Sequence, residues 1–312
     1  MAPGNKASYL WRVTAIVAGS LCLTTLALPF SPIRLPSQAR LISAMTETPL
    51  CPKTTLQLPI KTAAKIATVS SSQFGDLDAR LRSEYGAVLK ARNGVVLPPR
   101  EMFSSEEEVA QWQANVETSG GDYILQTAAA EALNAAREEA RKQGLDITPR
   151  DTDAAARNYA YTVKLWMSRV NPGLDHWVKN GRLDSAEAER IRDLPSREQT
   201  VAILQLEEQG MFFSQDFSKS ILCSVAPPGA SQHLALLAFD VKEHQDSRVR
   251  EILAHHGWFQ TVQHDEPHFT YIGANQSELP ALGLIRKTVG HRTYWVPASA
   301  AVDNSMELVA RR

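Results

Sequence analysis

A change of pattern at Gly210 constrains this chain more than any other feature. Before it, apolar residues recur at helical spacing; after it, they fall into short runs bounded by turn residues. From Asp76 to Ala91, the positions Leu77, Leu81, Tyr85, Val88 and Leu89 recur at helical spacing, and Gly94 to Leu97 then reads as a short strand stopped by Pro98-Pro99. Ser104 or Ser105 ahead of Glu106 to Glu108 marks a helix start with acids in its first turn, where the helix dipole favours them. Tyr123 to Lys142 is an Ala-rich amphipathic helix ended by Gly144, and Asp146 to Thr148 reads as a strand. Asp151 to Arg169 is helical again, and Pro172 to Gly210 holds one or two more helices parted near Leu194-Pro195. Beyond Gly210, the runs Ile221 to Val225, Ala235 to Val241, Phe259 to Val262 and Phe269 to Ile272 read as strands of one sheet. A helix from Ser247 to Gly257, capped by Asp246, lies among them, and Arg286 to Val296 reads as a hairpin turning at Gly290-His291. The expected class is α+β: a small antiparallel sheet flanked by helices, with a long helical insertion at about 151–210.

Length and charge narrow the setting. At 312 residues the chain holds one or two domains. Its formal net charge of -1 lacks the basic excess that nucleic-acid binding needs, so nucleic acid is excluded as a partner. Lys6 and Arg12 precede an uncharged run from Val13 to Phe30, the layout of an export signal, so residues 1–30 read as a signal peptide or signal anchor. That run lies near the lower limit of about 17 to 25 residues for a spanning helix, and no small-x-small site follows it. Cleavage and retention both stay open. Leu21 before Cys22 argues against a lipoprotein signal. No second run is long enough to span a bilayer, so the membrane is met only through the N-terminal segment. Residues 31–69, rich in Ser, Thr, Pro and Lys, read as a flexible tether to a domain over 70–312. The expected location is outside the cytoplasmic membrane, in the periplasm or cell envelope. Cys51 and Cys223 can pair there, and they are too few for a cysteine metal site.

Of the eight histidines, all but His176 and His291 lie between His233 and His268. His233 and Asp240 flank the entry to one strand, in SQHLALLAFD, and His268 begins another, in DEPHFTYIG. Neighbouring strands are about 4.8 Å apart, so these side chains can meet on one ion. Two histidines and a carboxylate are a ligand set that catalytic zinc uses, with a further position left for water. By contrast, His255-His256 read as a helix end, where cations suit the dipole. His264 reads as a loop residue or a donor to a ligand, and His176-Trp177 and Trp166 read as packing.

Ser231-Gln232-His233 with Ala238-Phe239-Asp240, then Gly257-Trp258, then an acid shortly before His268 and Tyr271-Ile272-Gly273 resemble the VanY-type zinc D-alanyl-D-alanine carboxypeptidases. Their pattern is S-x-H-x-x-G-x-A-x-D, then G-W, then E-x-x-H. The resemblance covers roughly Ile147 to Gly273 and is interrupted by the helical middle. It implies zinc (Zn2+) on His233, Asp240 and His268, with the sheet as its carrier. It also implies a general base three residues before the last histidine, where Asp265 stands in place of Glu. Glu266 is one residue nearer, so either acid can serve; register favours Asp265. Leu236 stands where the family has Gly. Arg150, after Ile147-Thr148-Pro149, occupies the place of the family's arginine that polarises the substrate carbonyl, although the usual G-Y-R-S is absent. Ser231 is left as a substrate contact or a turn residue.

The resemblance thus implies a metallo-carboxypeptidase acting on the D-Ala-D-Ala end of peptidoglycan stem peptides, or an endopeptidase on an internal cross-link. The rival is a murein-binding or scaffolding protein of the envelope whose altered second motif has impaired catalysis. A serine nucleophile is disfavoured, since neither S-x-x-K nor G-x-S-x-G occurs.

Overall fold

The computed structural model describes residues 70–298 apart from 120 and 122. The segments read as export signal and tether, and Cys51, lie outside the described residues. Helix α1, Ser71–Tyr85, buries Leu77, Leu81 and Tyr85, which the i, i+4, i+8 spacing puts on one face. Helix α2, Glu106–Gln113, begins where the Ser105 hydroxyl accepts the Glu108 N–H at 3.2 Å. Helix α3, Thr127–Lys142, buries Ala129, Leu133, Ala136 and Ala140, and Gly144 follows in the left-handed region at φ 70°. Helices α4 (Tyr159–Lys179), α5 (Ser185–Arg192) and α6 (Ser196–Glu208) fill the middle of the chain. Trp166, Val170 and Leu174 of α4 join α1 and α6 in one apolar core. Among the described residues no helix is long and apolar enough to cross a membrane.

Strands β1 (Ala238–Asp240), β2 (Trp258–Phe259) and β3 (His268–Tyr271) form an antiparallel sheet in the order β1-β3-β2. Helix α7, Ser247–His255, is capped by the Asp246 carboxylate on the Arg248 N–H at 2.9 Å. Alternation along the strands sorts the two faces. Phe239, Phe269 and Tyr271 face a core shared with Leu133 of α3 and Ile252 of α7, which leaves Asp240, His268 and Thr270 on the other face. Strands β4 (Leu284–Val289) and β5 (Arg292–Pro297) make a separate hairpin with Gly290-His291 as its loop. The class is α+β, as expected.

Several expected elements differ. Within the expected strand from Ile221 to Val225, Ile221–Cys223 is a 3-10 turn, and among the described residues no strand pairs with it. Gly94 to Leu97 is not a strand either; the Gln126 side chain takes both polar groups of Val96, at 2.8 and 2.9 Å, as a neighbouring strand would. Around Asp146 to Thr148, pairing is limited to one bridge, Pro149 with Val241. The stretch from Asp151 to Asn158 is irregular, and α4 runs through Pro172. Burial of Trp166, Val170, Leu174 and Trp177 outweighs the lost hydrogen bond, and Ser168, whose carbonyl loses its donor, is exposed.

Glu207 near the end of α6 is buried, and its Oε1 accepts the N–H groups of Ile221 at 2.6 Å and Phe213 at 3.3 Å. Burial lifts its carboxyl from 4.5 to about 7 against the pull of those donors. The folded state therefore holds this proton more tightly than the unfolded chain. That stabilisation is complete below pH 4.5 and is lost as pH rises through 7. Glu207→Gln should flatten the loss of stability between pH 5 and 8 by about 2–3 kcal/mol in denaturant melts. Parallel pH profiles for the two proteins would show that this carboxyl ionises without penalty.

Candidate metal centre

His233 lies in a 3-10 turn, Gln232–Ala235, that leads into β1. Two backbone features shape this approach. Gly229 sits at φ 86°, and a Cβ there would come within 2.0 Å of the Phe103 carbonyl oxygen. Leu236 ends the turn at φ 56°, ψ 30°, a left-handed conformation that glycine adopts freely and leucine does not. Its side chain is nonetheless buried, so apolar packing offsets the backbone strain. Gly229→Ala should destabilise the fold by about 3 kcal/mol or more, since both the contact and the φ are unfavourable. A melt within 1 kcal/mol of wild type by that measure would mean the turn relaxes around the methyl group.

Asp240 and His268 are direct partners across β1 and β3. The Val241 N–H donates to the Pro267 carbonyl at 2.8 Å, which makes 240/268 a non-hydrogen-bonded pair, the kind whose side chains stand closest. His233 Nε2 is 3.2 Å from His268 Nδ1 and 3.4 Å from Asp240 Oδ1, and His268 Nδ1 is 3.2 Å from that same oxygen. All three residues are buried.

The far side of each group already has a partner. His233 Nδ1 is 2.5 Å from the Ala155 carbonyl, so it carries the proton and donates. The Gln232 Nε2 donates to the Tyr85 carbonyl at 2.7 Å, which turns Oε1 towards His268 Nε2 at 2.9 Å. His268 therefore donates from Nε2. The second oxygen of Asp240 accepts from Arg157 Nη2 at 2.7 Å. With those protons assigned, the three inward atoms are all lone-pair donors facing one another, a set that could hold a metal cation. Ligand atoms about 2.0–2.1 Å from a tetrahedral zinc lie roughly 3.4 Å apart, close to the separations here.

Electrostatics agree with a neutral His233 and an ionised Asp240. Burial pushes the His233 imidazole down against the pull of Asp240. Burial alone would raise the Asp240 carboxyl, but the Arg157 guanidinium on its second oxygen favours the ionised form. These three residues form the one metal-capable His, Cys, Asp and Glu group among the described residues.

They open on a cleft of about 440 Å³ between the sheet, α4 and residues 222–226. Arg150, Ser231 and Asp265 line this cleft with the three histidine and aspartate groups. The Arg150 N–H also donates to the Asp240 carbonyl at 2.9 Å, which ties that segment to β1. Glu266 turns elsewhere: its Oε2 is 2.9 Å from Arg292 Nη2 and 2.9 Å from Gln245 Nε2. His264 lines the cleft at φ 74° in the loop before β3. His256 ends α7 and pairs with Glu139 of α3 at 2.9 Å, while His176 stacks on Phe217 at 4.2 Å.

Sequence reasoning missed Arg157 and Gln232 as outer partners. Gln232 lay inside the motif, next to His233, and that adjacency was a usable signal. Arg157 carried none, because 83 residues separate it from Asp240.

No family model matches this chain, and no curated protein does. One similar solved structure is that of the LdcB LD-carboxypeptidase, described as revealing the molecular basis of peptidoglycan recognition. It is 14% identical, over 62% of this chain and 76% of that one, with a TM-score of 0.31. At that score the likeness carries no argument here.

Proposed function

We propose that the protein is a zinc-dependent peptidase hydrolysing D-amino-acid peptide bonds of peptidoglycan stem peptides, of the D-alanyl-D-alanine carboxypeptidase type. The observation that carries this reading is the convergence of three lone pairs, from His233, Asp240 and His268, at one end of a cleft. Two nitrogens and one oxygen suit zinc. The S-x-H and D-x-x-H resemblance supports a peptide as substrate, and the export-like N-terminus suits a substrate beyond the cytoplasmic membrane. In this reading residues 70–298 belong to a peptidase domain over 70–312, with 151–210 as its helical insertion.

A zinc ion held by these ligands would polarise the scissile carbonyl and make hydroxide available near neutral pH. Asp265 takes the proton of the attacking water and returns it to the leaving amine. Its place on the cleft supports this role, and the engagement of Glu266 with Arg292 and Gln245 argues against the alternative acid. Arg150 steadies the tetrahedral oxyanion with fixed donors. Ser231 contacts the substrate backbone. Outside the reacting atoms, Arg157 and Gln232 hold Asp240 and His268 in orientation. The rival reading, an impaired murein-binding or scaffolding protein, keeps the variant second motif at Asp265 and Glu266 as its support, and hydrolysis separates the two.

The test is zinc content of the purified full chain together with D-Ala release from a muramyl pentapeptide. One zinc per chain and release that a chelator stops are expected. A protein without zinc overturns the reading, and zinc without hydrolysis of monomeric or cross-linked stems leaves a binding protein.

A further inference from the structure

Two of the arginines that line the cleft, Arg157 and Arg169, differ in how they are satisfied. Arg157 is spoken for by Asp240 and Asp153. Arg169 has only its neighbour: Nη1 contacts the Ser168 hydroxyl at 3.0 Å and the Ser168 carbonyl at 3.5 Å. Its Nε is buried without a hydrogen-bond partner. A buried guanidinium N–H without an acceptor is costly, and a fork of donors with no carboxylate suits an incoming one.

The spacing along α4 says where that carboxylate would be. Tyr161, Leu165, Ser168 and Arg169 line the cleft at intervals of four, three and one, so one helix face forms the wall. Tyr161 bonds Asp153, which pairs with Arg157, so this end of the wall abuts the metal centre. Arg169 lies eight residues further on, about 12 Å at 1.5 Å per residue. An extended peptide covers about 3.3–3.6 Å per residue, so 12 Å corresponds to roughly three residues. In a carboxypeptidase only one residue follows the scissile bond, so a group this far away belongs to the part of the peptide that precedes it.

We infer that Arg169 forms a second anion subsite that takes a carboxylate carried two or three residues before the scissile bond. It gives the cleft a preference for acidic peptides that is separate from the chemistry at zinc. The inference rests on the peptidase reading for its direction, and on Arg169 alone for its charge.

The test is binding of L-Ala-γ-D-Glu-L-Lys, which has a free carboxylate on the second residue, and of the same peptide amidated there. Both peptides are titrated into the full chain, wild type, Arg169→Gln and Arg169→Lys. The wild type should bind the acid about tenfold more tightly than the amide. Arg169→Gln should bind both as weakly as the wild type binds the amide, and Arg169→Lys should keep part of the preference. An unchanged thermal melt excludes misfolding of the variants. Equal binding of acid and amide by the wild type overturns the inference, as does an undiminished preference in Arg169→Gln. D-Ala release assayed alongside separates the two readings. Preference without release spares Arg169 and removes the peptidase, whereas release with no Arg169-dependent preference does the reverse.

Discussion

Asp265→Asn will keep its zinc and lose D-Ala release by about 10²–10⁴-fold, the range a positioned general base contributes. Glu266→Gln will release D-Ala within a few-fold of wild type. The prediction rests on two adjacent acids that face different ways. Asp265 is exposed on the wall of the cleft that holds His233, Asp240 and His268. Glu266 is held by Arg292 and Gln245, and the Gln260 side chain donates to its carbonyl. Arg292 is itself buried, so losing the carboxylate weakens the hold on this loop and lowers the melting temperature. The two variants thus separate chemistry from support: one loses kcat with normal stability, the other loses stability with near-normal kcat. The reverse pattern would make Glu266 the base and require the loop before β3 to turn over.

His268→Ala will abolish zinc binding and D-Ala release together, and it will make the protein indifferent to chelators. A metal bound there would satisfy three buried lone-pair donors that otherwise face one another. Binding to the folded state alone stabilises by about 2.7–4.1 kcal/mol when metal is at 100 to 1,000 times its dissociation constant. Chelation should therefore lower the wild-type melting temperature by roughly 5–15 °C and leave that of His268→Ala unmoved. Arg157→Ala, which strips only the outer partner of Asp240, should fall between, with metal affinity reduced about 10–100-fold. A wild-type melt that a chelator does not shift, in a protein that carries no zinc, would leave a polar network in place of a metal centre.

The reach of the sequence is uneven for identifiable reasons. Local signals translated directly. Asp246 capped α7, Ser105 capped α2, and Gly290-His291 closed the β4–β5 hairpin, because each depends on residues a few positions apart. The strands holding Asp240 and His268 were legible too, since apolar runs bounded by turns lay on both sides of Phe239 and Phe269. The run at Ile221 had the same composition and formed a 3-10 turn. Composition says that a segment suits a strand; only a neighbour with free backbone groups makes it one.

What the sequence determined by itself was the class, α+β, and the residues His233, Asp240 and His268 as a possible ligand set. Alternation along a strand assigns side chains to faces whatever surrounds them. What the tertiary structure alone decided was which atoms of those residues converge and which neighbours serve them. The Ala155 carbonyl sets the tautomer of His233, Arg157 takes the second oxygen of Asp240, and Arg292 draws Glu266 away from the cleft. Each partner is 26 to 83 residues distant in the chain. The physical reason is that hydrogen bonds and ion pairs act over a few ångströms, and only the seating of the segment before α4 and of the β4–β5 hairpin beside the sheet brings such distant residues that near.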